Sequence, residues 1–371
     1  MSTSTFCKLP ITPVPVTDVT SSLGQNPTGI ITSLSRKKEI YSVCHHHDIL
    51  IFEDDPYWAL QYDIPSHKNS QPIHPDNLLS TLAPSYLTID IDGRVLSLQT
   101  FTKIFAPGCR MGWIVAQPAF ITKLTYTTDG TTSNPSGFAE AAVSQVVLRE
   151  WGGAKGFVRW IAGLRAHYKT RRDAFCEALA VGRDWSGSLE EREGSEGTEG
   201  GKSVSKKRKR GSNHDGHVSP TRRFDFEVPA GGMYVWVKLH LEGHGLAARP
   251  SNLSTKQIVL RLWNYLLTKY SLITIPGYVF NATPQAKTAD SNIRLTFAAT
   301  SPEQLRVAAR AFVKGVNEFW DGEGWDLPDL GKVKNAVDIG DGRFEDSKEE
   351  DIILRELYMH HAQRSKRVRL L

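Results

Sequence analysis

The chain reads as an α/β protein built from two layered units, and two observations predict this. Short apolar runs bounded by turn residues alternate with segments of helical spacing, the pattern of strands covered by helices. The alternation stops near Ser186 and resumes at Phe224, so a polar stretch separates the two units. Composition agrees with this reading. The 371 residues, 40% hydrophobic and 23% charged, suffice for a sizeable core.

In the first unit, residues 1–22 are rich in Ser, Thr and Pro and predict irregular or edge structure. Helical spacing from Leu34 to His47 follows Ser33, and Asp48 to Phe52 reads as a buried strand. Asp92-Gly93 signals a turn before a strand over Arg94 to Gln99, and Met111 to Ala116 predicts another. Phe138 to Glu150 and Phe157 to Val181 predict helices, the second long and rich in basic residues. A first domain over 1–150 follows, with 151–330 as the second.

The second domain contains an interruption. Glu190, Glu191, Glu193, Glu196 and Glu199 lie among Gly and Ser and precede Lys206-Lys207-Arg208-Lys209-Arg210. So little apolar surface cannot offset chain entropy, and 186–223 predicts a disordered insertion. Beyond it, Gly231 to Val237 and Asn292 to Ala298 predict strands, and Lys256 to Tyr270 and Pro302 to Trp320 predict helices. Residues 331–371 form a polar tail with one amphipathic helical pattern near Asp351 to Arg364.

The net charge of +5 is misleading as a sign of nucleic-acid binding. Residues 190–223 hold nine Lys/Arg and six Asp/Glu, which supply +3 of it, so no basic face follows for the globular part. Lys206 to Arg210 matches a nuclear-localisation patch, but the reading preferred is a solvated charge run. No apolar run approaches the roughly 18 residues that span a bilayer. Cys7, Cys44, Cys109 and Cys176 lack CxxC spacing, which points to a cytoplasmic protein without a disulfide framework. Cys44-His45-His46-His47 has no second ligand cluster, and adjacent histidines on a helix point apart, so no metal is expected.

Five motifs occur in order. They are Gly24-Gln25-Asn26-Pro27-Thr28-Gly29, Glu53-Asp54-Asp55-Pro56-Tyr57, a segment from Thr100 to Trp113 containing Lys103 and Arg110, Gly231-Gly232-Met233, and Asn292-Ile293-Arg294-Leu295. Together they resemble the class I/II aminotransferases that use pyridoxal 5'-phosphate, particularly the aromatic amino acid, kynurenine and 2-aminoadipate branch. The resemblance runs from about Gly24 to Phe312. It implies the fold type I PLP-transferase architecture: a large domain with a mostly parallel sheet and a smaller C-terminal α/β domain.

The resemblance also assigns roles. Lys103 looks like the lysine that binds the cofactor and later moves a proton at the substrate, with Asp54 and Tyr57 beside it as catalytic groups. Asp54 matches the carboxylate on the pyridine nitrogen, and Tyr57 and Asn26 match the donors to the phenolic oxygen. Thr100 and Arg110 match phosphate ligands, Arg110 also being the cation expected to make the Lys103 amine nucleophilic. Arg294, with Asn26, matches the clamp on the substrate carboxylate. The implied reaction moves an amino group between an aromatic or 2-aminoadipate-like amino acid and a 2-oxo acid, within a homodimer whose sites are shared.

Only 25 residues precede Asn26, where the family has a long segment. An N-terminally truncated chain is expected from this, with exposed strand edges or apolar faces on the first sheet, weakened cofactor binding and an impaired dimer. Two rivals stay open. One is a different reaction with the same cofactor, such as β-elimination or decarboxylation. The other is a non-catalytic relative acting as a binding or scaffold protein.

Overall fold

A computed structural model describes residues 17–62, 77–183, 222–248, 253–283, 285–327 and 369–370. The expected tail helix near Asp351 to Arg364, the basic run at Lys206 to Arg210 and nearly all of the 186–223 insertion lie outside the described residues.

The first sheet is formed by β1 (Thr17–Thr20), β2 (Leu50–Asp54), β3 (Val95–Thr100) and β4 (Gly112–Val115) in that spatial order. The β1–β2 and β2–β3 pairs are parallel and β3–β4 is antiparallel. Between β1 and β2 runs α1 (Leu34–His46), opened by Ser33, whose hydroxyl accepts the Arg36 amide at 3.3 Å. Tyr41 and Cys44 of α1 pack on Ile51, Tyr86 and Val95. The strand expected from Asp48 begins instead at Leu50. Asp48 adopts a left-handed φ of 53° as the chain leaves α1, which delays entry into the sheet.

Next come α2 (Leu78–Thr81) after β2, then α3 (Pro118–Asp129) and α4 (Gly137–Ser144) after β4. The helix expected over Phe138 to Glu150 changes at Gln145 into a wider π-helical stretch that ends at Glu150. α3 was not foreseen; none of its residues is buried, so no apolar stripe marks it in the sequence. β1 and β4 each have one unpaired edge among the described residues, and Val19, Ile114 and Val115 are exposed there.

α5 (Ala154–Arg183) is the 30-residue helix that ties the two sheets together. Near its start Ile161 packs with Ala59, Leu78 and Ile104, while Phe175, Cys176 and Leu179 join the main core. The second sheet has the order β5 (Phe224–Phe226), β6 (Tyr234–Leu239), β9 (Asn292–Thr296), β8 (Ile275–Pro276) and is antiparallel throughout. The connections carry α6 (Gly245–Ala248), α7 (Thr255–Tyr270), β7 (Leu272–Ile273) and α8 (Pro302–Trp320), and β7 pairs with β10 (Arg369–Leu370).

Alternation along β6 and β9 divides this sheet into two faces. Val235, Val237, Leu239, Ile293 and Leu295 are buried against α5, α7 and α8, with Phe312 and Phe319 of α8 fully enclosed. Each such phenylalanine contributes about 1.5–3 kcal/mol by leaving water. Tyr234, Trp236 and Arg294 occupy the opposite face, and Trp236 pairs directly with Arg294.

Candidate active site

Three parallel strands finish at one edge of the first sheet, and the candidate residues follow their carboxyl ends. β1 leads into Ser22 and Asn26, β2 ends at Asp54, and β3 ends at Thr100 before the turn carrying Lys103. In open α/β sheets, ligands bind in this crevice.

Asp54 lies between two carboxylates that take a different path. Glu53 and Asp55 are fully buried, whereas Asp54 is exposed, as alternation at a strand end requires. Asp55 accepts the amides of Ser22 and Leu23 at 2.7 and 3.0 Å. Glu53 accepts the Tyr86 amide at 2.9 Å and the Ser85 hydroxyl. The buried Lys37 ammonium lies 3.7 Å from Glu53 and donates to the Pro84 carbonyl at 2.6 Å. This inner layer fixes the loops on either side of Asp54. Asp54 itself has no hydrogen-bond or ion-pair partner among the described residues, and partial burial pushes its carboxyl above the usual range.

The Asn26 loop is held against the second sheet by glycines. Gly24 and Gly232 both have positive φ, at 81° and 74°, and a Cβ on Gly232 would stand 2.5 Å from the Gly24 carbonyl oxygen. Gly231 donates its amide to Gly29 at 3.0 Å, and the Tyr62 hydroxyl donates to the Gly232 carbonyl at 2.7 Å. Only side-chain-free positions permit this approach. The strand expected from Gly231 accordingly starts at Tyr234.

Two side-chain contacts also join the units at this site, Asn26 to Arg294 and Tyr57 to Tyr234. Arg294 donates to Asn26 Oδ1 at 2.7 Å, and its guanidinium lies 4.2 Å from the centre of the Tyr234 ring and 5.0 Å from that of Phe280. The Tyr234 hydroxyl is 3.3 Å from that of Tyr57, with the two rings edge to face. Lys103 Nζ lies 5.9 Å from the centre of the Tyr57 ring. Burial raises the Tyr57 phenol well above its ordinary value; Tyr234 adds to the rise, Arg294 opposes it and the Asp54 charge adds a little. Burial lowers Arg294, and the two phenols partly offset that.

Asn26, Tyr57, Lys103 and Arg294 thus form one connected set, with Asp54 within electrostatic reach of Tyr57. Thr100 caps the Lys103 turn: its hydroxyl accepts the Thr102 amide at 3.1 Å and lies 2.9 Å from Thr102 Oγ1 and 3.1 Å from the Met111 carbonyl, to one of which its single hydrogen donates. Arg110 follows a short 3-10 turn with a φ of 49° and is exposed. No contact joins Arg110 to Lys103; among the described residues Arg110 has no hydrogen-bond or ion-pair partner. Tyr234 was missed by sequence reasoning. Its signal was its place directly after Gly231-Gly232-Met233, on the strand paired with that of Arg294.

Residues 24–189 match the family described as "Aminotransferase class I and II". The chain is 36% identical over 222 residues to the L-tyrosine:2-oxoglutarate aminotransferase atrD of Tapinella panuoides, covering 59% of this chain and 36% of that one. It is 29% identical to aromatic amino acid aminotransferase 2 of Saccharomyces cerevisiae, covering 81% of this chain and 55% of the relative. Among solved structures, the aminotransferase Aro8 from Candida albicans superposes with a TM-score of 0.65 at 28% identity, covering 84% of this chain and 59% of its own. The chain spans between about a third and three fifths of the length of these relatives.

Proposed function

Because the chain belongs to the class I and II aminotransferase family, we propose that it moves an amino group between an amino acid and a 2-oxo acid using pyridoxal 5'-phosphate. The observation that carries this is a set of unpaired ionic groups around one sheet edge. Lys103, Asp54 and Arg110 each lack an ion-pair partner among the described residues. Asp54 and Arg110 are exposed and Lys103 is half-buried, so their charged ends are free to meet a ligand, and their chemistry matches one ligand. An amine, a carboxylate and a guanidinium with a nearby hydroxyl suit an aldehyde, a pyridinium and a phosphate.

When bound, the cofactor supplies the electron sink that lets a Cα–H bond break. Asp54 holds the proton on the pyridine nitrogen, and its solvent-facing carboxyl is free to do so. Tyr57 donates its hydroxyl to the phenolic oxygen. Asn26 uses Oδ1 for Arg294, which leaves its amide NH2 as a second donor. Thr100 and Arg110 hold the phosphate. Arg294 orients the substrate carboxylate so that the Cα–H bond aligns with the reacting system, and the Lys103 amine moves the released proton.

An aromatic or 2-aminoadipate-like amino donor is proposed, supported at its aromatic end by the names of the relatives. Further proposals are a division at about residue 150, a homodimer, and a cytosolic setting in which the thiols of Cys44, Cys109 and Cys176 stay reduced.

The test is optical. Purified chain mixed with pyridoxal phosphate should develop a visible absorbance band that Lys103→Ala abolishes while its circular dichroism stays unchanged. A chain that stays colourless with excess cofactor rejects the enzyme reading and favours the scaffold alternative.

A further inference from the structure

We propose that Tyr234 is a positioning residue that joins the carboxylate clamp Arg294 to the phenol of Tyr57, so that a carboxylate seated on Arg294 is felt at the Tyr57 hydroxyl. The inference rests on the site reading above and adds a residue with a defined task.

The geometry is specific. Tyr234 meets both groups with different parts of one side chain: its ring face lies 4.2 Å from the Arg294 guanidinium carbon, and its hydroxyl lies 3.3 Å from that of Tyr57. It is the only hydrogen-bond partner of the Tyr57 hydroxyl among the described residues. Its direction is set by the strand. Val235 and Val237 are fully buried on the helix-covered face, which turns Tyr234 toward the site, and β9 places Arg294 beside it. Phe280 flanks the same guanidinium at 5.0 Å and packs edge to face on Trp236, so aromatic rings border Arg294 on this face.

Charge explains the coupling. A guanidinium over a ring face draws on the ring's electrons, and cation and phenol are mutually stabilising in a partly desolvated setting. A bound carboxylate neutralises Arg294 and weakens its hold on both phenols. The Tyr234 hydroxyl then becomes a better acceptor toward Tyr57, which changes where the Tyr57 proton points. In the proposed enzyme, this proton is the one offered to the cofactor's phenolic oxygen. Substrate binding and the cofactor's protonation are thereby linked through one residue.

The experiment compares the wild type with Tyr234→Phe and Tyr234→Leu. Binding of hydrocinnamate, a carboxylate lacking the amino group, is measured by calorimetry without cofactor. Tyr234→Leu should weaken it by about tenfold, through loss of the ring beneath the cation, whereas Tyr234→Phe should stay within about threefold. With pyridoxal phosphate added, hydrocinnamate should shift the pH midpoint of the visible band in the wild type, and Tyr234→Phe should remove that shift. A shift retained in full by Tyr234→Phe, or wild-type hydrocinnamate affinity in Tyr234→Leu, overturns the proposal. A colourless wild type defeats the cofactor reading. In that case the calorimetric comparison decides the proposal, and wild-type hydrocinnamate affinity in Tyr234→Leu overturns it.

Discussion

The Asp55 carboxylate holds Ser22 twice, through its backbone N–H at 2.7 Å and its hydroxyl at 2.8 Å. The same hydroxyl lies 2.9 Å from Glu53 Oε1. It has one hydrogen and two acidic neighbours, so the arrangement is complete only when one carboxyl contributes a proton.

That proton gives the first prediction. Burial, and then the charge of Glu53, raises the Asp55 carboxyl to about 7. The folded chain therefore keeps a proton that an unfolded aspartate, titrating near about 4, releases. The stability linked to it is whole below about pH 4 and disappears as the pH rises through about 7. Asp55→Asn mimics the protonated acid and keeps an oxygen for the two amides. Urea denaturation across about pH 5 to 8 should show a decline in the wild type that the asparagine variant flattens. A parallel decline in both would place the titrating group elsewhere.

Arg294 gives the second. Lysine at 294 keeps the charge but loses the planar fork that reaches Asn26 and lies over the Tyr234 ring. Hydrocinnamate affinity, or the KM for an amino donor, should worsen by roughly tenfold to a hundredfold in Arg294→Lys. Asn26→Ala should cost less, since the guanidinium keeps its aromatic neighbours. Equal losses in the two variants would count against Arg294 as the carboxylate clamp.

What the sequence showed and what it hid divide along physical lines. α8 occupies the predicted Pro302–Trp320, because Ser301 caps it, proline opens it and its apolar residues keep helical spacing. Strands β3 and β4 were legible as two apolar runs, the first announced by the Asp92-Gly93 turn before it, whereas their antiparallel pairing was not. Local patterns of this kind survive in any packing context. The Tyr234–Tyr57 contact joins residues 177 apart, and nothing local announces it. The burial of Glu53 and Asp55 was hidden for a related reason. Three consecutive acids look like a solvated strand end until Lys37, Ser22 and Ser85 close over two of them. The first sheet's carboxyl edge could be read from motif order, whereas the free position of Arg110 could not, since its left-handed backbone is set by the preceding 3-10 turn.

Two glycines should behave oppositely. Gly232 combines a φ of 74° with a Cβ position 2.5 Å from the Gly24 carbonyl oxygen, so alanine meets both strain and collision. Gly232→Ala should cost about 1–3 kcal/mol or more in urea denaturation and loosen the Asn26 loop. Gly108 lies in the short 3-10 turn before Arg110, and a Cβ there meets nothing within 4 Å. Gly108→Ala should stay within about 0.5 kcal/mol of the wild type. A similar loss in both variants would mean that the Gly24–Gly232 approach is not what holds the sheets together.

Arg172 supports the last prediction. It is fully buried on α5, donates to Asp173 Oδ1 at 2.8 Å and to the Pro229 carbonyl at 3.0 Å, and lies 5.0 Å from the centre of the Tyr62 ring. Pro229 precedes the Gly231–Gly232 turn, and Tyr62 bonds that turn directly, so the guanidinium braces the segment leading to Tyr234 from behind. Arg172→Met fills much of the space but leaves a buried carbonyl without this donor. About 3 kcal/mol of stability should be lost, in line with breaking a buried charged contact. The site should loosen with it, because the turn carrying Tyr234 loses its brace. A stable Arg172→Met protein with wild-type hydrocinnamate affinity would show that the glycine turn holds its position without α5.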